Sequence, residues 1–235
     1  MRSKFITYNL KLLTTIFIVV SLVIGYELLV APAGAQMPAQ VLLTWQANNF
    51  YPADYQGKAL ATPKTPVSVS AEFLRNGKFL DISKSNFTWL VDEKLLSSGV
   101  GLKEVVFNVN KSPGDSHFMR VSINSNGEIF GSSVRVPVSK PILALEAAYP
   151  DALVRAGSRA TVEAVPYFFN VSSLQNLVFS WQVGDGNQKE SGSDNELVLN
   201  VGTPTGVEPI TIFGSARNVN DLLEFASDRI RLIVY

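Results

Sequence analysis

The sequence predicts an all-β chain, a leader segment followed by two β-sandwiches in tandem, and three observations predict it. After the first 36 positions, apolar residues recur at every second place, and no stretch of helical length keeps a 3.6-residue period. Residues 178–187 (V-F-S-W-Q-V-G-D-G-N) have an echo at residues 86–92 (N-F-T-W-L-V-D), which points to one module used twice. Clusters of Gly, Pro, Asn, Asp and Ser interrupt the apolar runs roughly every 8 to 12 residues, the rhythm of short strands joined by tight turns.

The two echoing stretches are the centre of each half. Phe179, Trp181 and Val183 share one face of an alternating segment, with Ser180 and Gln182 on the other, the pattern of a half-buried strand. Phe87, Trp89 and Val91 repeat it, and each Trp is expected in the middle of its own core. The tryptophans stand 92 residues apart, close to the size of one sandwich of about 100 residues.

At the N-terminus, Arg2, Lys4 and Lys11 precede an apolar run over residues 16–24 broken only by Ser21, and Ala33-Gly34-Ala35 then precedes Gln36. This is the layout of an export signal over residues 1–35, cleaved after Ala35. The alternative is a retained anchor, since residues 12–30 approach the about 20 residues of a membrane helix and Glu27 lies near the end of that window. Either way the basic flank stays inside and the remainder is exported, to the cell envelope, periplasm or exterior.

Residues 41–47 form a short apolar strand followed by the turn residues Tyr51-Pro52-Ala53-Asp54. Val67, Val69, Ala71 and Phe73 alternate into a second strand, and Asn76-Gly77 supplies a tight turn. The Trp89 strand follows, then the alternation of Val105, Phe107 and Val109, and a hairpin turning at Asn126-Gly127. The second half repeats this order: residues 142–147, then Tyr149-Pro150-Asp151, residues 161–165, the Trp181 strand, and Leu197, Leu199 and Val201. Phe107 and Leu199 each lie 18 residues beyond their Trp, which supports the alignment. Ile210 and Ile212 with Ile230, Leu232 and Val234 close the chain as a hairpin. Pro141 marks the boundary, so one sandwich is expected over residues 37–139 and the other over 140–235, with almost no linker and limited bending between them.

Composition narrows the function classes. Of 235 residues, 46% are hydrophobic and 17% charged, a folding composition. Beyond the first 35 residues, 17 basic side chains face 19 acidic ones, which leaves no electrostatic footprint for nucleic acid. With no cysteine, neither disulfides nor thiolate-bound metals contribute to stability.

Phe179-Ser180-Trp181-Gln182-Val183-Gly184-Asp185-Gly186 resembles the strand and turn of a PKD domain, an immunoglobulin-like (Ig-like) sandwich marked by Trp and a Phe-Gly-Asp-Gly turn. Gln182 and Val183 replace the Asp and Phe preferred there. In the first half Glu93 and Lys94 replace the glycine-flanked turn, so that half resembles the broader Ig-like class. The resemblance covers about 95 residues and implies a noncatalytic extracellular module for spacing, adhesion or protein contact.

Candidate chemistry is sparse. His117 is the single histidine and sits beside Asp115 and Ser116, but three adjacent residues cannot build a relay whose side chains must meet from separate segments. It is expected as an exposed loop residue, and no catalytic or cofactor-binding residue is assigned. Asp185, Asn187, Asp194 and Asn195 offer oxygen donors that invite calcium, but their spacing matches no calcium loop, and turn formation is favoured over a metal site. Asn86-Phe87-Thr88 and Asn170-Val171-Ser172 are glycosylation sequons. Tyr167-Phe168-Phe169 places three aromatics in a row, which an alternating strand cannot all bury, so packing at the module junction is expected ahead of an external patch. The function expected is an exported, noncatalytic interaction or structural module with an envelope or surface protein or polymer as partner. The alternative is a carbohydrate- or polymer-binding accessory module using exposed Tyr51, Tyr55 and Tyr167.

Overall fold

The computed structural model describes residues 39–203 and 206–235. The segment expected as signal or anchor, residues 1–35, lies outside the described residues. Among the described residues no helix is long and apolar enough to cross a membrane. Gln40–Leu74 and Phe79–Tyr235 form one compact unit, and Arg75–Lys78 falls outside it.

The first eight strands are β1 (Gln40–Ala47), β2 (Pro66–Arg75), β3 (Lys78–Leu80), β4 (Asn86–Val91), β5 (Lys94–Val100), β6 (Glu104–Asn108), β7 (Ser116–Ser125) and β8 (Glu128–Pro137). One sheet joins β1, β2 and β6, with β3 also on β2, and the other runs β5-β4-β7-β8. Eight more follow: β9 (Ile142–Glu146), β10 (Leu153–Val154), β11 (Arg159–Tyr167), β12 (Leu177–Val183), β13 (Lys189–Gly192), β14 (Glu196–Asn200), β15 (Glu208–Asn218) and β16 (Asp221–Val234). They make a β14-β11-β9 sheet and a β10-β16-β15-β12-β13 sheet. Apart from single 3-10 turns at Pro150–Ala152 and Leu174–Asn176, the described residues contain no helix.

Lettered in chain order, each half has strands A, B and E in one sheet and C′, C, F and G in the other. That is the connectivity of an Ig-like sandwich, where B and E share one sheet and C, F and G the second. Seven strands correspond between the halves, with β3 an addition to the first and β10 to the second; Phe107 pairs with Val67 and Leu199 with Ala160, each on the E-to-B ladder.

Alternation produces the burial. On β2, Val67, Val69, Ala71 and Phe73 are buried while the residues between them are not. In the second half Val162 and Leu143 from one sheet pack with Phe179, Trp181, Ile212 and Leu232 from the other. Both tryptophans are core residues, Trp89 at 0% and Trp181 at 4% exposure. The indole N–H of Trp89 donates to Leu102 O at 2.8 Å, whereas the buried Nε1 of Trp181 has no hydrogen-bond partner. Trp181 is accommodated by Gly214, the residue opposite it on β15, where a Cβ would come within 2.7 Å of Leu145 Cδ2 and 3.2 Å of the indole.

The Trp89 strand ends in a tight turn without glycine: Asp92 and Glu93 both take left-handed φ values, 48° and 65°, and Val91 pairs directly with Lys94. This two-residue hairpin normally calls for Asn-Gly or Asp-Gly, and here Asp tolerates the first position while Glu carries strain at the second. Asn126-Gly127 forms the expected hairpin turn, with φ of 52° and 87°.

Candidate functional site

Two places gather the chemistry-bearing side chains, the junction between the halves and the turn at Asp92. At the junction, the β1–β2 connection meets the chain leaving β11. Phe168 takes φ 64°, a conformation that is costly for a bulky residue, by about 1–2 kcal/mol. Its effect is to break the alternation. Phe169 then enters the second core and Phe168 turns toward the first half, so both are buried, at 0% and 3% exposure. Backbone bonds hold the kink: Phe168 N donates to Phe50 O at 2.6 Å and Phe50 N to Phe169 O at 2.7 Å. The Thr62 hydroxyl adds a bond to Phe168 O at 3.0 Å.

Around this kink lies an aromatic cluster. The Tyr55 ring is 5.8 Å from Tyr51, 5.5 Å from Tyr167 and 5.6 Å from Phe168, the last two edge-on. The structure therefore brings together Tyr51, Tyr55 and Tyr167, all half-buried. Burial, with the negative charges of Glu146 and Asp54 nearby, holds the Tyr167 hydroxyl above its ordinary pKa. Beside the cluster, Lys58 Nζ lies 3.6 Å over the Trp45 ring, and burial lowers its pKa.

Behind the aromatics is a polar lock that no local sequence pattern announces. Glu224, 7% exposed on β16, accepts from Asn170 N at 2.8 Å, Asn170 Nδ2 at 2.7 Å and Asn218 Nδ2 at 2.6 Å. From the other half, Thr65 Oγ1 donates to Asn170 Oδ1 at 2.6 Å, and Asn170 Nδ2 also reaches Pro63 O at 2.8 Å. At the rim Lys64 pairs with Asp221 and holds its carboxyl below the usual carboxylate range. The amide of the Asn170 sequon is thus spent inside the protein, while Asn86 is exposed. The signal was present only as a buried-position carboxylate, which alternation along β16 would have revealed had its register been known.

His117 corrects an expectation. It is 1% exposed and belongs to β7, opposite Val136 of β8, rather than to an open loop. Its Nδ1 lies 2.7 Å from Asp92 Oδ2, and its Nε2 accepts from Asn110 N at 3.4 Å, which places the proton on Nδ1. The ring also packs edge-on against Phe107 across the sandwich at 5.0 Å. Neither Asp115 nor Ser116 takes part in a bond to the ring. Asp92 instead gathers the charges: its Oδ1 accepts from Lys111 Nζ at 2.8 Å and Phe118 N at 3.0 Å. Burial raises its pKa, but the Lys111 ammonium, the Phe118 N–H and His117 outweigh that and bring it to about 2. With both ring nitrogens committed and the ring enclosed, His117 serves the fold.

The four candidate calcium donors belong to two separate turns, Asp185 and Asn187 between β12 and β13, Asp194 and Asn195 between β13 and β14. Asp185 and Asn187 are exposed beside the Gly186 N to Val183 O turn of 3.0 Å. Asp194 Oδ1 accepts from Glu196 N at 3.1 Å, and Asn195 Nδ2 donates to Ala164 O at 3.0 Å. These are turn and cap roles.

No protein-family model matches the chain, and no curated protein does. Among solved structures it is similar to the three N-terminal domains of the highly immunogenic outer capsid protein of bacteriophage RB49, with 10% identity, 84% of this chain and 59% of that one covered, and a TM-score of 0.44. It is also similar to the fibronectin(III)-like modules of Clostridium thermocellum CbhA, with 15% identity, coverages of 83% and 93%, and a TM-score of 0.29. A third is SGBP-B of the Bacteroides ovatus mixed-linkage glucan utilization locus, in complex with a mixed-linkage heptasaccharide, with 18% identity, coverages of 85% and 47%, and a TM-score of 0.26. The chain spans 59% of the length of the phage structure. The class defined by the strand order is an all-β protein of Ig-like connectivity repeated in its two halves.

Proposed function

We propose that the chain is an exported, noncatalytic pair of Ig-like modules, bounded at residues 139–140, that presents binding surfaces on a stiff two-module body. The second module is read as PKD-like on its Trp181 strand and Gly184-Asp185-Gly186 turn. The observation that carries this reading is the junction: Glu224, Asn170, Asn218, Thr62 and Thr65 interlock between the kinked Phe168 backbone and the β1–β2 connection. Ordering that many side chains costs conformational entropy, and a freely jointed pair of domains has no use for it. Export rests on the basic flank, apolar run and Ala33-Gly34-Ala35 of the leader. Two measurements test the proposal. Cell fractionation should place the protein in the envelope or medium, and small-angle scattering should show one rigid body. Cytosolic protein, or a scattering profile that needs hinge motion, would sink it.

A second reading, a carbohydrate- or polymer-binding accessory, is favoured by one observation, the half-buried rings of Tyr51, Tyr55 and Tyr167 gathered around one point. Aromatic faces suit sugar rings because they are broad, rigid and carry a polar edge. Replacing Tyr55 with Ala should then weaken polysaccharide binding, and unchanged binding would count against this use of the cluster.

A further inference from the structure

We propose that the outer face of the five-stranded sheet of the second half is a groove that binds a glycan chain, a site apart from the tyrosine cluster. It goes beyond the module reading and rests on the register of three neighbouring strands. Ser180 on β12 pairs with Ser215 on β15, which pairs with Ser227 on β16. All three lie on the opposite side of their strands from Phe179, Trp181, Ala216 and Ala226, which are buried in the core; Ser227 is exposed, Ser215 half-buried, and Ser180, at 8% exposure, is the covered end of the row. The middle row of the face is therefore made of the smallest hydroxyl side chain.

The rows on either side are large. One runs Gln182, Phe213, Arg229 and the other Val178, Arg217, Phe225. Phe213 and Phe225 are 40% and 60% exposed, so each wall carries an aromatic ring in reach of solvent. Two clefts, of about 440 and 480 Å³, share Ser180, Gln188 and Ser215 and make one trough across the strands. Gln188 spans it through a bond from Nε2 to Ser215 Oγ at 3.5 Å, a long bond that a ligand hydroxyl can replace. The hydroxyls of Ser180 and Ser227 make no hydrogen bond among the described residues. Arg217 is engaged by Glu190 at 3.5 Å, while Arg229 has no acidic partner among the described residues.

Width and chemistry select the occupant. The walls are four residues apart along a strand, about 13 Å between Cα rows, and the side chains standing on them narrow the channel between. A helix of about 10–12 Å diameter does not enter it. An extended peptide would have to satisfy its main-chain N–H and C=O groups, and a sheet face whose own backbone is already paired offers no ladder for them. A pyranose chain brings C–H faces for the two phenyl rings and a hydroxyl at almost every other atom for Ser, Gln and Arg. Arg229 adds a fork suited to a ring carboxylate.

The first half supplies an internal control. Its corresponding row, Thr88, Ser122 and Gly131, is also small, but its walls are Leu90, Arg120 and Ser133 on one side and Asn86, Asn124 and Ile129 on the other. No aromatic stands there, Arg120 is held by Glu93 at 2.7 Å, and the Thr88 hydroxyl bonds Ser98 at 3.3 Å.

The test is native affinity electrophoresis of the full chain in gels containing hydroxyethylcellulose, a neutral polymer, or polygalacturonate, an acidic one. Retardation is expected in at least one gel. Phe213→Ala combined with Phe225→Ala, and separately Ser215→Leu in the groove floor, should each weaken it about tenfold with unchanged melting behaviour. Arg229→Gln should matter only in the polygalacturonate gel, which separates neutral from acidic sugars as the source of the ligand. Arg120→Ala, on the corresponding face of the first half, should have no effect. No retardation in either gel overturns the proposal, as does retardation that survives both groove variants. Loss on Tyr55→Ala alone transfers sugar binding to the tyrosine cluster and also overturns it. A solution dimer that Ser215→Glu dissociates would show the face to be an interface between copies, with the same consequence.

Discussion

At the scale of single residues, the carboxylate of Asp92 carries the most identifiable electrostatic contribution. Its folded pKa of about 2 lies below the ordinary 3.8, so its stabilisation is fully present above pH 3.8 and is lost as pH falls through about 2. Asp92→Asn should therefore lower stability by about 2 kcal/mol at pH 7, with the difference shrinking to nothing near pH 2. Chemical denaturation at several pH values checks this, and a pH-independent difference would contradict it. The tryptophans give a paired comparison. Trp89→Phe removes both ring area and the bond to Leu102 O, whereas Trp181→Phe removes area alone. The first substitution should cost about 1 kcal/mol more than the second, read from denaturant midpoints at equal slope. Asp92 and Trp89 were visible in the sequence. The Asp92–His117 pairing was not, since 25 residues separate the partners and only the β4–β7 ladder brings them together.

At the scale of elements, alternation made the strands legible, because a strand with one buried face must alternate. It failed at two kinds of place. Ser112-Pro113-Gly114-Asp115 before His117 gives that stretch the composition of a loop, yet β7 begins at Ser116 and its inward position falls on the imidazole. Tyr167-Phe168-Phe169 broke the period because one residue adopts left-handed φ, which no side-chain pattern announces for Phe. The pairing of Gly214 with Trp181 is likewise a property of register. Gly214→Ala should cost about 1–3 kcal/mol through overpacking against Leu145 and the indole, and a near-ultraviolet circular dichroism change should accompany it. An unaltered melting temperature would mean that Leu145 yields freely.

At the scale of the whole molecule, the junction decides how the halves behave. Glu224→Ala leaves the amides of Asn170 and Asn218 without their acceptor in a buried setting, and a loss of about 2–4 kcal/mol is expected. If the lock stiffens the pair, scattering from this variant should also show hinge motion that the parent lacks. The two sequons give a separate prediction at this scale. In a glycosylating host Asn86, exposed at the start of β4, should be modified and Asn170 should not, as intact-mass analysis would show. Occupancy at Asn170 would mean that the junction closes only after synthesis is complete.

The sequence alone determined the all-β class, the duplication and the core positions of both tryptophans, since each follows from local period and spacing along the chain. Tertiary structure alone decided that His117 is enclosed, that Glu224 and Asn170 tie the junction, and that three serines align between two aromatic walls. The physical reason is common to all three. Burial follows from the period of one strand, whereas contacts between side chains depend on which strands become neighbours and in what register, and a shift of one residue would turn every one of these groups to the opposite face.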